Sequence, residues 1–172
     1  MDAIETIMTR RSIRKYTGEP VSDSEVKVLL EAAMAAPTAG NQQPWCFVVV
    51  RDRELLGRVP DAHPYSSMVP YCDVAIVVCV DTRPGLKHPR YWQQDAAAAT
   101  QNILLAAHAL GLAGVWMGVY PEEARTRGIA ELFGLPDGVE PVSMIPIGRP
   151  AEEKPRSERY DAAKVHRDRW ER

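Results

Sequence analysis

Four basic side chains and a hydroxyl fall within six residues at Arg10-Arg11-Ser12-Ile13-Arg14-Lys15. Guanidinium groups present paired N–H donors in a planar fork and the serine adds one more donor, so this run can grip a phosphate. It equally suits a solvated cationic helix end, where positive charge is favourable against the helix dipole. A second run, Ala36-Pro37-Thr38-Ala39-Gly40-Asn41-Gln42-Gln43-Pro44-Trp45, combines small residues, amides and two prolines. Its backbone and amide groups can bond a planar heterocycle with alternating donors and acceptors, and it reads equally as an ordered turn with Trp45 in the core. Metal chemistry is poorly supported. The three cysteines (Cys46, Cys72, Cys79) show no CxxC spacing, and the four histidines (His63, His88, His108, His166) are scattered. No Ser/His/Asp arrangement and no paired carboxylates stand out.

The elements that must position these runs follow from periodicity and punctuation. Ile4, Ile7 and Met8 have helical spacing, which predicts a short helix over residues 2–9, directly before the cationic run. Ser22-Asp23-Ser24-Glu25 is a capping box, and Val26, Leu29, Leu30 and Ala33 give the helix behind it one apolar face, ending before Pro37. Residues 45–50 form a β-prone run. Residues 74–80 form another without polar alternation, as expected of a strand buried on both faces. Residues 91–110 lack proline and glycine and are rich in alanine, which predicts a buried helix closed by Gly111. A short strand over 113–117, a helix over 121–132 and a last strand over 142–147 complete the series. From Gly148 the chain turns polar, with Arg149, Lys154, Arg156, Arg159, Lys164, Arg167, Arg169 and Arg172 among acids and prolines. Such a tail is an exposed extension or an arm lying on a partner subunit. The pattern suits an α+β or α/β sandwich with one sheet.

At 172 residues, with 45% hydrophobic and 26% charged, the chain is expected to form one domain, residues 1–172, with 148–172 as its arm. A net charge of −2 lacks the basic footprint of a dedicated nucleic-acid binder, so that class is set aside. The longest apolar run, seven residues at 74–80, is too short to cross a bilayer, and no secretory signal is visible. Unpatterned cysteines fit a reducing cytoplasm, which is the expected location.

Taken together in order, the motifs carry a resemblance. Arg10-Arg11-Ser12-Ile13-Arg14-Lys15-Tyr16 is similar to the opening motif of the nitroreductase family, the FMN-dependent NAD(P)H oxidoreductases. Residues 36–45 resemble its second motif, and Asp95-Ala96-Ala97 through Gln101-Asn102 to Ala109-Leu110-Gly111-Leu112 its central helix. Val115-Trp116-Met117-Gly118 and Pro146-Ile147-Gly148-Arg149-Pro150-Ala151-Glu152-Glu153-Lys154 complete the series. Each piece is weak alone, but five in register over nearly the whole chain are specific.

The resemblance implies an α+β fold, a mixed sheet flanked by helices, and an intertwined homodimer with two FMN molecules in its interface. By position, Arg10, Ser12 and Arg14 would meet the FMN phosphate and its ribityl or pyrimidine end, with Arg11 nearby. Pro37, Thr38 and Asn41 would approach the ring from the other subunit, and Trp116, Met117 and Gly118 would line the ring near N5. Arg156 or Arg159 would close on the phosphate, assisted by Lys154, while Arg149 stands where many relatives carry an aromatic residue. NADH or NADPH would act as a transient co-substrate, and hydride would pass through the flavin to a nitroaromatic, quinone or similar small acceptor. Because a flavin carries the redox chemistry itself, no catalytic side chain is expected. Acceptor choice would depend on residues 61–70 and 85–91, with Tyr91 and Trp92 candidates to cap the pocket. The alternatives are a non-catalytic FMN-binding or storage protein, and a dehalogenase or flavin-cleaving enzyme of the same fold.

Overall fold

The computed structural model describes residues 2–170; Arg172, counted above among the basic residues of the tail, lies outside them. The chain runs α1 (Ala3–Thr9), α2 (Asp23–Met34), β1 (Trp45–Val50), α3 (Arg53–Ala62), β2 (Val74–Asp81) and α4 (Trp92–Ala109). It continues with β3 (Ala113–Gly114), β4 (Met117–Gly118), α5 (Glu123–Phe133) and β5 (Val139–Gly148). The class is α+β. The sheet has the order β1-β2-β5-β3, with β4 also on β5, and every pairing among the described strands is antiparallel. This differs from the mixed sheet that the resemblance implied.

β2 is buried along both faces, as its unbroken apolar run requires. Val74, Ile76, Val78 and Val80 pack with Leu29 of α2 and Ile103 of α4, whereas Ala75, Val77 and Cys79 pack with Leu56 of α3 and Ile129 of α5. The sheet therefore separates two helical layers, and the period-2 alternation of side chains divides one strand between two cores. α2 begins with the full capping box: Ser22 Oγ accepts from Glu25 N–H, and Glu25 accepts from Ser22 N–H. α4 ends as Gly111 predicts. Gly111 has φ +73, its N–H donates to His108 O and the Leu112 N–H donates to Ala107 O, the paired closure that needs a left-handed residue after the cap.

One helix was not anticipated. α3 carries Gly57 and Pro60, residues that argue against a helix, yet Asp52 caps it by accepting from Leu55 N–H at 2.9 Å. Leu56 and Val59 then turn inward, and their burial outweighs the poor propensity. Pro60 sits one turn from the helix end.

The strand expected over 113–117 is split into β3 and β4. The cause lies in β5. Ile147 turns its carbonyl toward β2 and accepts from Asp73 N–H at 3.1 Å, so the neighbouring Pro146 faces the opposite edge, where it has no N–H to offer. The ladder fails there, and the Tyr16 hydroxyl fills the gap by donating to Pro146 O at 3.2 Å. Val115 and Trp116 bridge the interruption, leaving Trp116 37% exposed. Tyr16 also lies against Gly148, where an added Cβ would come within 2.9 Å of its ring.

Candidate functional site

The cationic run is laid along the end of the sheet by backbone pairing. Ile13 N–H donates to Gly114 O at 3.2 Å, Thr17 N–H to Arg149 O at 3.0 Å and Ala151 N–H to Lys15 O at 2.9 Å. These bonds place residues 10–17 between β3 and the start of the arm. Lys154 reinforces the junction, donating to Ser12 O at 2.7 Å and pairing with Glu152 at 3.2 Å. Glu152 in turn accepts from Arg14 N–H at 2.7 Å, and these contacts hold its carboxyl below the usual range, the Arg14 N–H contributing most. Lys154 is thus a strut between the two segments. Arg149 is tied elsewhere, to Glu25 at 2.8 Å.

Two clefts open on either side of this junction. The first, of about 410 Å³, is lined by Thr9, Arg10, Arg11, His108, Lys154 and Arg156 among others. Burial, together with the charges of Arg11 and Arg159, holds the Arg10 guanidinium below its ordinary value. None of Arg10, Arg11, Arg156 and Arg159 forms an ion pair with a carboxylate among the described residues. Glu152 and Glu153 line the same cleft, but Glu152 is engaged by Lys154 and Arg14. Positive charges crowded around Arg10 and free of ion pairs make a receptor for a multiply charged anion.

The second cleft, of about 500 Å³, gathers Arg14, Val115, Trp116, Met117 and Gly118 with His63, Tyr65 and Arg125. Its frame is polar. His63, 2% exposed, accepts Tyr65 N–H at Nδ1 (3.2 Å), so its Nε2 carries the proton and donates to Gly118 O at 2.9 Å. His63 was absent from the sequence-derived candidates. Its only signal was its place in the segment expected to govern acceptor choice, because the helix that ends just before it was itself unanticipated.

The amide-rich loop is held from below. Asp95, buried in the first turn of α4, accepts Ala39 N–H at 2.9 Å and the Gln42 side-chain amide at 2.7 Å. Thr38 Oγ1 accepts Gln43 N–H at 3.1 Å. Asn41 takes φ +53, a left-handed conformation that asparagine tolerates better than most residues. This loop lines neither cleft; Asn41 opens on a separate hollow with Trp45 and Lys87. Within one chain, then, the fold joins Arg10, Arg11 and Arg156 in the first cleft, with Arg159 outside its lining but near enough for its charge to act on Arg10, and separately joins Arg14, Trp116, Met117 and Gly118. Ser12 lies between the two groups, and Pro37, Thr38 and Asn41 remain apart. Tyr91 and Trp92 cap neither cleft: Trp92 packs edge-on to Tyr120, with ring centres 4.7 Å apart.

Comparison with known proteins decides the family. A profile described as "Nitroreductase family" matches residues 7–66 and 60–149. This chain belongs to the nitroreductase family. A Methanothermobacter thermautotrophicus protein named "Putative NADH dehydrogenase/NAD(P)H nitroreductase" is 48% identical over 170 residues, covering 99% of this chain and 88% of the relative. The fold matches an FMN-dependent nitroreductase from Clostridium difficile with a TM-score of 0.89 at 29% identity, over 97% of this chain and 99% of that one. It also matches a Desulfovibrio desulfuricans structure described as a "putative nitroreductase in complex with fmn", with a TM-score of 0.84 at 34% identity and 99% coverage of both chains. Among the described residues, no helix is long and apolar enough to cross a membrane, and no group of three metal-ligating side chains is assembled.

Proposed function

We propose that this chain is an FMN-dependent oxidoreductase that moves hydride from NADH or NADPH to an electron-poor small molecule, a nitroaromatic or quinone, and that it works as a homodimer in the cytoplasm. The observation that carries this reading is the set of guanidinium groups at the first cleft, none of them ion-paired among the described residues although Glu153 also lines the cleft. A phosphate monoester, bearing close to two negative charges, fits that donor set; a neutral ligand would leave the mutual repulsion of Arg10, Arg11 and Arg159 in place.

Bound FMN would supply two-electron transfer between nicotinamide and acceptor. The chain binds and orients. Arg10, Arg11 and Ser12, with Arg156 or Arg159 from the arm, hold the phosphate. Arg14 holds the ribityl or pyrimidine end, and Trp116, Met117 and Gly118 line the ring, kept in place by His63 through the Gly118 carbonyl. The loop with Pro37, Thr38 and Asn41 serves the partner's cofactor, which accounts for its distance from both clefts of its own subunit. The exposed arm and the uncovered Ile4, Ile7 and Met8 of α1 supply apolar surface for the dimer.

An absorbance spectrum of the purified protein, with mass identification of released flavin, tests the cofactor. Anaerobic mixing with NADH and with NADPH then tests catalysis: bleaching by either supports the enzyme, and no bleaching by both assigns a binding protein. The double variant Arg10→Ala/Arg14→Ala is expected to weaken FMN retention on the order of a hundredfold or more, because two charge-assisted contacts are lost. Its circular dichroism should remain native. Full retention of FMN would refute the phosphate assignment.

A further inference from the structure

The second cleft holds a cation that the cofactor reading leaves unused. Arg125, on α5, donates from Nη1 to Gly118 O at 3.3 Å, and its Cζ stands 5.3 Å from the centre of the Tyr65 ring. His63 Nε2 donates to the same carbonyl. The Gly118 carbonyl is therefore already satisfied by a shorter bond, and the Arg125 contact uses one of five guanidinium donors. Neither Arg125 nor Arg14 pairs with a carboxylate among the described residues, and no Asp or Glu lines this cleft. Tyr65 and Trp116, both exposed, border it.

We propose that Arg125 is a specificity-determining residue that selects an anionic, planar acceptor: an aromatic ring bearing a carboxylate is bound in preference to its neutral counterpart. This inference rests on reading the site as a flavin oxidoreductase, and it narrows the acceptor class of that site. Arg14 is committed to the cofactor, so Arg125 is the positive group left to face a second ligand. The aromatic border suits the flat apolar body of such a ligand, while the planar guanidinium, steadied by Tyr65 and the Gly118 carbonyl, offers its remaining donors to two carboxylate oxygens. Holding the guanidinium in advance reduces the ordering that binding would otherwise require. A purely structural role would need only the bond to Gly118 O, which a neutral amide makes as well.

Calorimetric titration of the protein as purified, with 4-nitrobenzoate and with 4-nitrobenzamide, tests the proposal, together with kcat/KM for each under NADH or NADPH. The benzoate is expected to bind about tenfold or more tightly than the amide, the effect of one charge-assisted hydrogen-bonded pair. In Arg125→Gln that ratio should fall to about one, and Arg125→Lys should restore part of it. Equal affinities in the native protein, or a preference that survives Arg125→Gln, overturns the assignment. Should the protein carry no flavin and oxidise neither nicotinamide, the oxidoreductase reading fails, while the calorimetric ratio still decides whether Arg125 selects an anion.

Discussion

β2 and the C-terminal arm differ chiefly in what covers them. Every apolar residue of β2 from Val74 to Val80 is buried, with helices closing both faces. The arm, in contrast, leaves Tyr160 86% and Trp170 79% exposed, and residues 152–161 form no helix or strand. A large aromatic side chain stabilises a structure in proportion to the area it removes from water, so the arm gains little from its own chain. The two regions teach that the core is completed by the chain's own packing, while the cationic cleft is finished by a segment that gains little burial from its own chain.

The largest effect that would sharpen this contrast is in the core. Ile145→Ala, at a fully buried position of β5, is expected to lower stability by about 3–4 kcal/mol in urea denaturation, through lost transfer energy and a residual cavity. Trp170→Ala should stay within about 0.5 kcal/mol in the same assay and instead weaken self-association in sedimentation. Equal losses from both variants would break the distinction. An intermediate effect is expected where the core reaches out to the amide loop. Asp95→Ala leaves the Ala39 N–H and the Gln42 amide without their acceptor and should cost about 2 kcal/mol, with faster hydrogen exchange at Ala39; native protection there would remove Asp95 as the anchor.

The smallest effect lies at the seam between α4 and the first cleft. Burial, and then the charge of Arg10, hold His108 below its ordinary pKa of 6.5, while Glu5 opposes them. The folded chain therefore binds this proton less tightly than the unfolded one. The stability so contributed is present above about pH 6.5 and is lost as pH falls through the lowered folded value. Thermal melts from pH 7 to pH 5 should decline less steeply in His108→Gln than in the native protein. Identical slopes would exclude His108 as the source.

Much of the architecture was legible because its signals are local. The Ser22–Glu25 box, the β1 run, the unbroken apolar stretch of β2 and the closure at Gly111 each depend on a few neighbouring residues. α3 was hidden because Gly57 and Pro60 mask a Leu56/Val59 face that only packing rewards. The break between β3 and β4 was hidden for a related reason: it originates at Pro146, some thirty residues away in a strand read as regular. Among the site residues, the motif at 10–15 was visible as a charge run, and the resemblance already set Arg156 or Arg159 and Lys154 beside it. What the sequence did not show is the contact Lys154 makes, which the fold turns into a strut to the Ser12 carbonyl.

Sequence alone determined which residue types this protein brings to bear: clustered guanidinium groups, an amide loop, an apolar strand covered on both sides, and motifs in the order of one family. These follow from composition and short-range pattern, where neighbouring residues dictate backbone preference. Tertiary structure alone decided which of the cations stand together outside any ion pair, which imidazole holds the Gly118 carbonyl, and that the amide loop lies apart from both clefts. Those outcomes depend on long-range pairing, and electrostatic and hydrogen-bond energies are set by distance in space, not by separation along the chain.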